Sequence, residues 1–247
     1  MNYIIFDLEY NQKHPDNKNT KENSSLLFEI IQIGAIKFDK DFNKIGTFNT
    51  LIKPVVHTSI HPYVENLTKI TDLDIQSSIK FPEVYQDFLN FIGDSPSCLV
   101  VWGLNDIKEL LKNIKFHKLS LNRLPMEYID LQHHASKYFN IPKGRKISLK
   151  NAVAELLIPT IGEFHDAFFD AYYTGEILKK IFSKDIQPLT YTESPQKQPA
   201  KSTEKVNTEL LIKQIEKMFN KTLTPKEIKM VKTAYNMGRT RQFIKKD

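Results

Sequence analysis

Asp7-Leu8-Glu9 places two carboxylates one residue apart near the start of this 247-residue chain. In a β-strand, side chains at i and i+2 point to the same face, so the two acids would project together. Held close they repel one another, and a bound divalent cation such as Mg²⁺ or Mn²⁺ relieves the repulsion at the lowest cost. The triplet alone is common by chance. Its setting is what marks it, because Ile4-Ile5-Phe6 just before it reads as a central, buried strand where unpaired carboxylates are expensive. Asp106 is the second candidate. It falls four residues after Trp102, in the first turn of a helix that follows a buried strand. An acid there suits the helix dipole, and the carboxyl ends of sheet strands are also where α/β sites collect their groups. His165 and Asp170 form the third candidate. Five residues is not helix-neighbour spacing, so with Asp170 on a helix, His165 falls in the loop or first turn before it. A histidine on a mobile lead-in of this kind can approach a metal-bound water and leave again, which suits a general base. Taken alone, it fits a surface or structural histidine as well. His14, His57, His61, His117, His133 and His134 have no comparable setting and read as structural or solvated.

These groups need a scaffold, and the apolar patterning outlines one. Short runs at Tyr3 to Leu8, Glu29 to Phe38 and Gly46 to Ile52 read as strands, broken by Asp39-Lys40-Asp41 and Asn43-Lys44. Short connections favour an antiparallel meander, with a polar surface insert from Gln12 to Ser25. Helical periodicity follows at Phe81 to Ile92, with Pro82 in the first turn. A buried strand, Cys98 to Trp102, passes through Gly103 into a helix bearing Ile107, Leu110, Leu111 and Ile114. A short strand near Tyr128-Ile129 precedes helices near Leu131 to Phe139, Ser148 to Leu157 and Ala167 to Phe182. Strands first, then strand and helix in alternation, predict a mixed sheet covered by helices.

The remaining chain differs in composition. Residues 184–205 lose periodicity and carry Pro188, Pro195 and Pro199 among polar residues, which reads as a linker. Beyond it, residues 206–247 contain two helical patterns, the second opened by Thr224-Pro225-Lys226-Glu227, a capping box with proline at the first helical position. Residues 201–247 hold 12 Lys/Arg against 5 Asp/Glu, whereas the first 200 hold 23 against 24. The net charge of +6 therefore belongs to a basic helical hairpin, which suits a polyanionic partner or merely a solvated face.

Hydrophobic residues make up 40% and charged residues 26% of the chain, as in a soluble globular protein. No stretch approaches the roughly 20 apolar residues of a membrane helix. The N-terminus lacks the marks of a signal peptide. The single cysteine, Cys98, cannot form an internal disulfide. A cytoplasmic location with no membrane partner is the expectation.

In chain order the candidates read Asp, Glu, Asp, His, Asp, and over residues 2 to 182 this resembles the DEDDh family of 3′–5′ exonucleases, of the RNase T and DNA polymerase III proofreading-subunit type. Glu29-Ile30-Ile31-Gln32-Ile33-Gly34-Ala35 looks like the family's second strand, and Leu67-Thr68-Lys69-Ile70-Thr71 is similar to its Leu-Thr-Gly-Ile-Thr segment. Trp102-Gly103-Leu104-Asn105-Asp106 resembles the form found in the histone-mRNA 3′-end exonuclease and KapD-like branch. His165-Asp166-Ala167-Phe168-Phe169-Asp170 matches the His-x-Ala-Leu-x-Asp block. Asp166 stands where a related subfamily has tyrosine, which excludes that subfamily. Val101 departs from the usual serine, Phe168 from leucine, and Tyr10-Asn11 from a small residue.

The resemblance implies an RNase H-like mixed five-stranded sheet flanked by helices, with the small C-terminal hairpin appended, and hence an exonuclease domain over residues 1–183. It implies two Mg²⁺ or Mn²⁺ ions, with Asp7 bridging, Glu9 and Asp170 completing ligation, and Asp106 acting directly or through water. His165 would take the proton from the attacking water. Two ions about 4 Å apart can both activate a water and stabilise a leaving oxygen. The expected activity is metal-dependent release of nucleotides from 3′ ends of single-stranded RNA or DNA. Leu8, Tyr10 and Leu67 are the expected neighbours of the terminal nucleotide, Tyr10 through stacking or simple packing. Lys143 and Arg145 offer a basic loop for phosphate or a solvated turn. The rival reading is a non-catalytic nucleic-acid-binding or regulatory module on the same fold. Self-association as a homodimer is left open.

Overall fold

Ile4, Ile5, Phe6 and Leu8 alternate between two apolar layers, and this alternation places the first strand at the centre of the sheet. The computed structural model describes residues 1–14, 26–192 and 207–239. The chain divides into two units, residues 1–192 and 193–247.

The first unit runs β1 (Asn2–Gln12), β2 (Phe28–Phe38), β3 (Lys44–Lys53), α1 (Pro62–Thr68), α2 (Asp72–Gln76), β4 (Ile79–Lys80), α3 (Phe81–Ile92), β5 (Ser97–Val101), α4 (Asn105–Phe116), β6 (Glu127–Asp130), α5 (Leu131–Tyr138), α6 (Leu149–Glu155), α7 (Ala167–Ile181) and β7 (Leu189–Thr190). The strands form one mixed sheet in the order β4-β3-β2-β1-β5-β6-β7. β1, β2 and β3 make the antiparallel meander, while β5 joins β1 and β6 joins β5 in parallel. The sheet thus has seven strands where five are expected. The two extra members are two-residue edge strands, β4 beside β3 and β7 beside β6, too short to leave an apolar period.

Each face of the sheet carries its own core. Tyr3, Ile5, Ile36 and Phe38 pack with Tyr173, Ile177 and Leu178 of α7 and with the α5 and α6 side chains. Ile4, Phe6, Leu8, Ile33 and Ala35 pack with Phe88 of α3 and with Ile107 and Leu110 of α4. The β1–β2 ladder slips once: Glu9 pairs Gln32 and Tyr10 pairs Ile30. The extra residue is Ile31, a β-bulge whose side chain enters a third, smaller cluster with Val64 and Ile75 of α1 and α2. These two short helices lack the apolar stripe that would announce them. Their ends are held instead by caps, His61 Nδ1 accepting Tyr63 N–H and Thr71 forming a capping box with Asp74.

Of the expected linker, residues 184–192 belong to this first unit and include β7, while residues 193–206 lie outside the described residues. So does most of the insert expected between β1 and β2. In the second unit, α8 (Thr208–Phe219) and α9 (Pro225–Arg239) pack against each other. Asn207 caps α8, and Thr224 with Glu227 forms the capping box at α9. Leu211, Ile215, Ile228, Val231 and Tyr235 are partly buried, whereas Leu210 stays exposed. Among the described residues, no helix is long and apolar enough to cross a membrane.

Candidate active site

Register builds the site. Asp7 lies opposite Gly34 and Glu9 opposite Gln32 on β2, on the face covered by α7. A Cβ on Gly34 would come within 2.1 to 2.4 Å of the Ala167 and Phe168 backbone, so only glycine lets the start of α7 rest directly on the strand beside Asp7. Gln32 then pins that start. Its Oε1 accepts Ala167 N–H at 3.2 Å, and its Nε2 reaches Asp166 Oδ2 at 3.4 Å. Asp166 caps the helix by accepting the N–H groups of Phe168 and Phe169. One turn on, Asp170 faces β1, fully inside the α7 contact layer at 8% exposure.

His165 sits on the loop before α7, as its spacing requires. The loop is tied upstream by the buried Tyr173 hydroxyl, which accepts the N–H groups of Ile161 and Gly162 and donates to the Gly162 carbonyl. At His165 the backbone takes φ of 68°, a left-handed conformation that costs a non-glycine residue about 1 kcal/mol or more. Its N–H donates to Asp170 Oδ2 at 3.2 Å, leaving the imidazole exposed. Ligand atoms of Glu9, His165 and Asp170 all lie within 4.8 Å of one another.

Asp106 comes from the other side. Gly103, at φ of 94°, turns the chain from β5 into α4. That turn sets Asp106 in the first helical turn at the carboxyl end of the parallel β1–β5 pair, 7% exposed. Its Oδ1 accepts a short hydrogen bond from the Tyr10 hydroxyl.

Burial combined with mutual repulsion sets the electrostatics. The Asp7 carboxyl is held well above the usual carboxylate range by burial and then by the charges of Asp106, Asp170 and Glu9. Glu9 is pushed up to about 9, by burial first and then by Asp170 and Asp106. Asp106 and Asp170 both rise to about 7, again chiefly through burial, despite the hydrogen bonds that Tyr10 and His165 give them. Burial likewise raises Tyr10 far above its ordinary value, so the phenol stays a donor. Asp170 Oδ1 is buried with no hydrogen-bond partner among the described residues. Four crowded acids and an orphaned oxygen constitute a cluster that lacks positive charge, and an oxygen-rich donor set of this kind suits a hard divalent cation.

The expected substrate contacts are placed differently. Leu8 is a core side chain, 3% exposed and turned away from the carboxylates towards α3 and α4. Tyr10 lies on that same side, tilted against Phe28 with ring centroids 6.3 Å apart, and its hydroxyl is engaged by Asp106. It is a partner of the acid cluster and not a free stacking platform. Leu67 is half-buried on α1. Lys143 and Arg145 are exposed, and Arg145 lines a surface cavity of about 510 Å³ with Phe139, Ile141 and Ile147; none of the five candidate residues borders it. Sequence reasoning quoted Gln32 and Gly34 without giving them a role. A small residue and an amide facing an alternating carboxylate pair were the available signal.

The exonuclease family RNase_T has a family model that matches residues 4–178. A PolC-type DNA polymerase III of Clostridium perfringens is 31% identical over 184 residues, covering 74% of this chain and 11% of that protein. The 3′-5′ exonuclease crn-4 of Caenorhabditis elegans is 23% identical over 181 residues, covering 65% of this chain and 58% of that one. The chain thus spans about a tenth of the first relative and somewhat over half of the second. Among solved structures, the nuclease domain of 3′hExo, a DEDDh family member bound to rAMP, superposes with a TM-score of 0.65 at 16% identity. It covers 78% of this chain and 97% of that domain.

Proposed function

Because the chain belongs to the RNase T family of exonucleases, we propose that it removes nucleotides from the 3′ end of single-stranded RNA or DNA in a reaction that needs divalent cations, Mg²⁺ or Mn²⁺. The observation that carries this reading is the complete set of five groups around one end of β1, with Asp170 Oδ1 buried and unpartnered. Asp7, Glu9, Asp106 and Asp170 would hold the cations. When bound, such ions lower the pKa of an attacking water and offset charge on the phosphate and the leaving oxygen.

The chain's own residues supply the rest. His165 takes the proton of the attacking water, an assignment supported by its exposed ring beside Glu9 and Asp170. The Tyr173 tether and the Gln32–Asp166 contact hold the two ends of its loop, so the imidazole works from a fixed arm. Burial of Glu9, Asp106 and Asp170, with Asp7 half-buried among them, strengthens the charge interactions within the cluster. The basic hairpin carries exposed Lys213, Lys217, Lys229 and Lys232. It adds phosphate contacts for longer strands and takes no part in the chemistry. Arg241 lies outside the described residues.

The test is a panel of 5′-labelled oligonucleotides, RNA and DNA, single- and double-stranded, incubated with Mg²⁺, with Mn²⁺ and with EDTA. The expected pattern is a ladder shortening from the 3′ end with mononucleotide release, abolished by EDTA. Internal cleavage, or digestion that survives EDTA, would refute the assignment.

A further inference from the structure

The hydrolytic reading gives Tyr10 no task, yet the only hydrogen on its hydroxyl goes to Asp106 Oδ1. The placement of the two residues gives that contact a purpose. Asp7 and Glu9 project from the β1 face under α7, where Asp170 meets them. Asp106 is carried by α4 on the opposite face and reaches the cluster from beyond the end of β5. A carboxylate in the first turn of a helix can rotate about its terminal torsion at low cost. Which of its oxygens turns towards the other three acids is therefore not settled by the backbone.

Tyr10 settles it. The ring is wedged in the α3–α4 core layer and tilted against Phe28, and its position on β1 is fixed by pairing with Ile30. The hydroxyl is therefore delivered to one point. Asp106 is buried, so losing this donor would leave its Oδ1 unsatisfied, and the contact persists. We propose that Tyr10 is a positioning residue, whose hydroxyl holds Asp106 by Oδ1 and so commits Oδ2 to the cation shared with Asp7, Glu9 and Asp170. This rests on the metal-dependent reading above. It also accounts for a bulky residue at a position where the sequence pattern favours a small one: Tyr10 supports the metal site from behind, on the core side of the sheet.

Tyr10→Phe removes the hydroxyl and keeps the ring, so packing is preserved. Mn²⁺ binding is measured by calorimetry and electron paramagnetic resonance without substrate, for the native protein, Tyr10→Phe, Asp106→Ala and the double variant. Partners one step out from a metal are typically worth 10- to 100-fold in affinity or activity, so Tyr10→Phe should weaken Mn²⁺ by about that factor and raise the Mg²⁺ requirement for hydrolysis in parallel. In the Asp106→Ala background, the same change should alter Mn²⁺ affinity by less than about twofold, because the group it acts through is gone. If native protein binds Mn²⁺ and Tyr10→Phe binds it equally, with only its melting temperature lowered, Tyr10 is a packing residue and the inference fails alone. Equal losses in both backgrounds would also overturn it. A native protein that binds no Mn²⁺ would instead remove the metal-dependent reading itself.

Discussion

Asp170→Asn changes charge with almost no change in shape, and the structure sets how much it should matter. The amide oxygen can still accept the His165 N–H that now goes to Asp170 Oδ2. The nitrogen replaces the orphaned Oδ1 beside Glu9. In the metal-free protein the native carboxyl is raised from 3.8 to about 7. A raised acid binds its proton more tightly when folded, so it costs nothing below the unfolded value and its penalty grows as pH rises towards 7. At about 1.4 kcal/mol per pH unit, the full penalty is about 4 kcal/mol above neutrality and about 2 kcal/mol at pH 5. In a unit of this size 1 kcal/mol shifts the melting temperature by roughly 2–4 °C. Allowing half for desolvation of the amide, the variant should melt roughly 4–8 °C above native at pH 8 in EDTA. The gap should narrow at pH 5. Excess Mg²⁺ should raise the native melting temperature and leave the variant nearly unmoved, while hydrolysis falls about 100-fold or more. Melting curves at both pH values, with and without Mg²⁺, decide the matter. A variant that melts at or below native at pH 8 without metal would refute the claim that the buried charge of Asp170 costs the metal-free protein stability.

Asp7→Asn should abolish hydrolysis while circular dichroism and melting show an intact fold; near-normal degradation would sink the metal assignment. His165→Ala should slow turnover by roughly 10²–10⁴ at neutral pH with Mn²⁺ affinity unchanged, and a loss traced to weaker Mn²⁺ binding would make the histidine a ligand. Gly34→Ala forces a methyl into the α7 backbone at 2.1 to 2.4 Å. It should destabilise the protein by about 1–3 kcal/mol or more in denaturant melts and displace Asp170 enough to lose activity. Truncation after Thr192 should raise the Michaelis constant for a long single strand and reduce its salt slope by about one unit per phosphate contact removed, with a dinucleotide unaffected. An unchanged slope would return the hairpin to a packing role.

The readable part of this sequence was the part governed by period and spacing. Alternation in Ile4-Ile5-Phe6 announced a central strand, and the five-residue gap from His165 to Asp170 placed the histidine ahead of its helix. Phe81–Ile92 emerged with the predicted ends. What stayed hidden depends on three-dimensional register. Gly34 and Gln32 acquire meaning only when paired with Asp7 and Glu9, and the β-bulge at Ile31 that sets the pairing beyond Gln32 has no signature in a continuously apolar run. Tyr10 was legible as an aromatic near the acids. That it faces the core and reaches Asp106, 96 residues away, follows from β1 and β5 being neighbours. α1 and α2 escaped notice because helices of seven and five residues are specified by their caps and not by a stripe.

The direct seating of α7 on Gly34 has a consequence for how the protein comes into being. Asp7 and Glu9 leave the ribosome early, and with β2 and β3 they can pair into a meander at once. The residues that complete the cluster arrive only after α7 has been made, more than 150 residues later. At about 5–20 residues per second that interval is on the order of ten to thirty seconds. Throughout it the growing chain carries Asp7 and Glu9 without His165 or Asp170. The acid cluster is therefore incomplete until one late helix docks on the strand that carries its first two members.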